Sequence, residues 1–74
     1  MESKCKMVNV SSYGSNNYET VILENSSIND IKEKYLNMAG RHLLPIFERE
    51  LSNIGCNRFF TLPYSYDTII IYLN

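Results

Sequence analysis

A chain of 74 residues has room for one small domain, residues 1–74, and none for the separate substrate and cofactor lobes of a multi-step enzyme. An apolar fraction of 45% with a charged fraction of 20% is the balance of a folded globular protein, not of a disordered chain. Seven Lys and Arg against eight Asp and Glu leave a net charge of −1, without the broad positive field that duplex nucleic acid or an anionic membrane demands.

The N-terminal segment Met1-Glu-Ser-Lys-Cys-Lys6 is polar and is followed by an alternating stretch, not by the apolar core of about 7–15 residues that marks a secretory signal. The longest uninterrupted apolar run, Ile69 to Leu73, is far short of the roughly 20 residues that span a bilayer. A cytoplasmic protein with no membrane partner is therefore expected. Lys6 to Val10 alternate, and Tyr18 to Glu24 are rich in β-branched and aromatic side chains, so both segments read as strands. Between them Ser11-Ser-Tyr-Gly-Ser-Asn-Asn17 is a cluster of turn formers, which makes the pair a hairpin.

Asn25-Ser-Ser27 ends the second strand, and Ser27-Ile-Asn-Asp30 has the form of a helix cap, a hydroxyl for the early amides and a carboxylate on the positive helix end. Ile28, Ile31, Tyr35 and Met38 follow at helical spacing. Leu43, Phe47, Leu51 and Ile54 form a second helical stripe, displaced from the first by roughly 100° at 3.6 residues per turn. One straight helix cannot bury both. Gly40 loosens the backbone and Pro45 cannot donate to the Arg41 carbonyl, so the spacing predicts two short helices, or one sharply kinked helix, with Gly55 as the stop. Arg58-Phe-Phe-Thr-Leu62, the turn Pro63-Tyr-Ser-Tyr-Asp67 and Thr68-Ile-Ile-Ile-Tyr-Leu73 complete a second hairpin. The expected fold is α+β: a four-stranded, mainly antiparallel sheet with the helical segment on one face, in the order ββααββ.

Thr20-Val-Ile-Leu-Glu24 leading through Ser27-Ile-Asn-Asp-Ile-Lys-Glu-Lys34, together with the closing Asp67-Thr-Ile-Ile-Ile-Tyr-Leu73, resembles a ubiquitin-like β-grasp domain over about half of the chain. That resemblance makes β-grasp the alternative fold. The second helical stripe departs from it, and Leu73-Asn74 stands where conjugated or sulfur-carrying members end in Gly-Gly, so their chemistry is not carried over.

Residue types for catalysis are sparse. His42 is the only histidine, and no orienting group at useful spacing accompanies a Cys56–His42 pair. Cys5, His42 and Cys56 supply three ligands of a zinc site and no fourth, so neither metal nor cofactor is expected. Two cysteines in such a chain read as reduced thiols, with a bridge open to them only if the first and last strands are neighbours. Glu48 and Glu50, two apart on a helix, point to different sides and form a solvated face. The enzyme expectation is negative.

The unusual feature is apolar side chains on both faces of the sheet. Counting alternate residues directs Val8, Val10, Val21, Leu23, Phe60, Leu62, Ile69, Ile71 and Leu73 toward the helices, and Met7, Tyr18, Ile22, Phe59, Ile70 and Tyr72 away from them. Two helices cover one face only, so the second set marks an interaction surface. Phe59, Ile70, Tyr72, Tyr18 and Ile22, with Tyr64 and Tyr66 of the second turn, are the candidate partner-binding residues. The expectation is a small non-enzymatic inhibitor or regulator that binds another protein. The Asn-, Ile- and Tyr-rich composition, such as AT-rich genomes produce, narrows it to a phage or mobile-element anti-defence protein that blocks a host nuclease or toxin in the host cytoplasm. A homodimer uses the same surface. The alternative is a small nucleic-acid-binding regulator, with Tyr18, Phe59 and Tyr72 as a stacking platform near Lys6 and Arg58.

Overall fold

The first hairpin is longer than the alternation predicts. In the computed structural model, which describes residues 4–73, β1 (Cys5–Tyr13) and β2 (Asn16–Ser26) run to a two-residue turn at Gly14-Ser15, with Gly14 at φ 63°. The Ser and Asn residues between the predicted strands extend the ladder instead of leaving it. Ser12 Oγ donates to Asn17 Oδ1 across the strands at 2.7 Å, and the Tyr13 and Tyr18 rings meet diagonally at 5.7 Å. The expectations about the polar N-terminus and the last residue bear in part on Met1, Glu2, Ser3 and Asn74, which lie outside the described residues.

The predicted cap is formed: Ser27 Oγ accepts from the Asp30 amide at 3.2 Å and starts α1 (Ile28–Ala39). Gly40, at φ 112°, ends it by donating its amide to the Leu36 carbonyl at 2.9 Å. A single 3₁₀ turn, Arg41–Leu43, leads into α2 (Leu44–Ser52), where Pro45 sits in the first turn and its missing amide costs nothing. The break between Gly40 and Pro45 thus gives two helices. The second stops three residues before Gly55, because Asn53 donates back to Arg49 and Ile54 turns tightly onto Leu51 while still packing against the core.

β3 (Phe59–Tyr64) and β4 (Asp67–Tyr72) form the second hairpin around Ser65-Tyr66, and all pairings are antiparallel in the order β2-β1-β4-β3. The register explains the topology. Ser26 at the end of β2 lies beside Cys5, and Lys6, Tyr72 and Phe59 align in the neighbouring row, so β3 starts at the end of the sheet where β2 finishes. Two helices carry the chain out and back between the two edge strands. A single crossing helix would start β3 at the other end and set β4 parallel to β1, as in a β-grasp domain; α2 excludes that alternative.

Both helices pack on one face. Ile31, Tyr35 and Leu36 of α1 and Phe47 of α2 bury themselves against Met7, Phe60, Leu62, Ile69 and Ile71. Phe47 stands edge-on to Phe60, with ring centroids 5.4 Å apart and planes at 84°, and Tyr35 lies 6.0 Å from Phe47. The Tyr35 hydroxyl donates to the Pro63 carbonyl at 2.6 Å, fastening α1 to the edge strand β3, and burial raises its phenol above the usual value. Beyond these apolar layers Asn9 Nδ2 and Ser11 Oγ donate to Asp67 Oδ2 at 3.2 and 2.9 Å, tying the root of the first hairpin to the turn of the second.

Candidate interaction surface

Strand register decides what the uncovered face carries, and it corrects the alternation count in β1 and β2. Met7 pairs with Ile71 and Leu23 and lies in the helix-covered core with no exposure, so Val8 and Val10 point the other way. Between Val8↔Val21 and Met7↔Leu23, β2 holds one residue more than β1. This bulge at Ile22 puts Val21 and Leu23 on opposite faces, although they are two apart in sequence. Ile22 itself packs against the core.

Three rows of side chains define the open face. Phe59, Tyr72 and Lys6 form the first, Thr61, Ile70, Val8 and Val21 the second, and Pro63, Thr68, Val10 and Glu19 the third. Val8 is only 1% exposed although no helix covers it, because Ile70 and Val21 flank it on the neighbouring strands. Around that filled centre the larger side chains remain in water: Phe59 and Val21 are each 49% exposed and Tyr72 39%. The Phe59 and Tyr72 rings lie 6.2 Å apart at 41°, and Lys6 Nζ sits 5.7 Å from the Tyr72 ring centroid. The surface is therefore a shallow apolar plate with an aromatic pair at one end.

Of the sequence-predicted residues, Phe59, Ile70 and Tyr72 come together on this plate. Tyr18 does not join them. It pairs with Ser11, one residue from Glu19 of the open face, so it points to the opposite face of the sheet, where its ring meets that of Tyr13. Tyr66 is fully exposed at the tip of the second turn, whereas Tyr64 is half-buried and rests on the core. The residues missed by alternation are Val8, Val10 and Val21; their β-branched side chains suit either face of a sheet, and only pairing partners distinguish them.

The remaining polar groups form no reactive set in the described residues. His42 is exposed in the 3₁₀ turn and Cys56 in the loop after α2, so about 13 Å of helix separates them. Cys5 is buried, and no disulfide joins it to Cys56. Among the described residues no three His, Cys, Asp or Glu side chains are grouped to hold a metal ion. A cleft of about 280 Å³ between α2 and β3, lined by Ile46, Arg49, Leu62 and Pro63 among others, falls below the usual size of a small-molecule site. No helix among the described residues is long and apolar enough to cross a membrane. Comparison with known proteins brings no counterpart: no family model, no curated protein and no solved structure matches this chain significantly.

Proposed function

We propose that this chain acts by binding another protein across the open sheet face, without catalysis of its own. The observation that carries the proposal is the Phe59–Tyr72 pair with Val21, exposed apolar groups on a face that neither helix covers, beside the half-buried Ile70 and Val10. Full burial of such a side chain is worth roughly 1.5–3 kcal/mol, so a partner that covers several of them gains a usable free energy. The Asn-, Ile- and Tyr-rich composition and the small size favour the narrower version, a phage or mobile-element inhibitor that blocks a host nuclease or toxin in the host cytoplasm.

A stacking platform for nucleic acid is the second reading, favoured by Lys6 over the Tyr72 ring and by Arg58 next to Phe59. Affinity capture from the native host, with and without nuclease treatment, tests both. The protein-binding reading expects one partner to survive nuclease and to disappear with Phe59→Lys and Tyr72→Lys variants that keep the wild-type circular dichroism spectrum. Loss of all captured material on nuclease treatment assigns the face to nucleic acid. Unchanged capture of the partner by both folded variants removes the face from the function.

A further inference from the structure

We draw no further inference here: the strongest candidate, the exposed Tyr13–Tyr18 pair of the first hairpin, on the opposite face of the sheet from Phe59 and next to Ser11 and its acceptor Asp67, is an unpartnered aromatic patch, and nothing in the structure shows what covers it.

Discussion

Replacing Tyr35 by Phe removes one oxygen from the centre of the molecule and tests how α1 is fastened to the sheet. The ring is fully buried and packs against Phe47, and the Phe variant keeps that packing. What is lost is the 2.6 Å hydrogen bond to the Pro63 carbonyl. The bond is part-buried and joins two neutral groups, and the cost is that of an ordinary hydrogen bond, about 0.5–1.5 kcal/mol. For a domain of this size about 1 kcal/mol lowers Tm by roughly 4–8 °C. Alkaline pH gives an independent readout. Burial raises the folded phenol above 10.0, so the stabilisation is fully present below pH 10. As pH rises further the unfolded phenol ionises first, the unfolded state binds fewer protons than the native state, and stability falls until the folded value is passed. The limiting slope is about 1.4 kcal/mol per pH unit. Urea denaturation at neutral pH and between pH 9 and 11 measures both effects. Tyr35→Phe should be less stable at neutral pH and less sensitive above pH 10, the other tyrosines being common to both proteins. Equal stability at neutral pH together with parallel loss above pH 10 would falsify the fastening argument.

Gly40→Ala should cost about 1–3 kcal/mol in chemical denaturation, because φ is 112° and the added Cβ would stand 2.7 Å from the His42 ring. The double variant with His42→Ala should recover the steric part and not the backbone part; full recovery would show that the dihedral carries no strain. Ser27→Ala should cost about 1 kcal/mol through loss of the α1 cap, and Ser27→Asp should retain most of the wild-type stability. Equal losses in the two Ser27 variants would mean that capping is not what the hydroxyl supplies there.

Local chemistry made much of the fold legible before any coordinates. The Ser27 cap, the break between Gly40 and Pro45, and the β3–β4 hairpin each depend on a few adjacent residues whose backbone preferences agree. The phase of β1 did not yield to the same reasoning. Met7, Val8 and Val10 are all apolar, so a period of two places some of them on either face without saying which. The choice comes from the cross-strand partners: Met7 fills the space between Leu23 and Ile71 beneath the helices, and the smaller Val8 fits between Val21 and Ile70 on the other side. The bulge at Ile22 is hidden for a related reason, since an extra residue changes no composition and appears only when two strands are aligned. Of the candidate site, Phe59, Ile70 and Tyr72 were readable because β3 and β4 are short, regular and joined by a tight turn. Tyr18 is turned away by the phase of β2, which puts Glu19 and Val21 on the open face, and Ile22 by the bulge.

The way the sheet treats its edges bears on the proposed use of this face. Strand addition needs an unpaired edge with regular, exposed backbone groups, and neither edge supplies one along its length. β3 is six residues long and contains Pro63, which has no amide to offer. β2 is long, but its register shifts at two places between Leu23 and Ser26 and beside Ile22, Asn25 takes a left-handed φ of 55°, and Glu19 and Glu24 put like charges along it. These features blunt the edges against backbone pairing. The open face is treated differently: Thr61 and Thr68 show that polar β-formers fit its pleat, yet Val21, Phe59, Ile70 and Tyr72 stand beside them. Thr in those places would keep the β-branched geometry and remove apolar surface from water. With strand addition blocked and side-chain burial available, the association mode this architecture favours is packing of side chains across the face, and Phe59 and Tyr72 are its largest exposed groups.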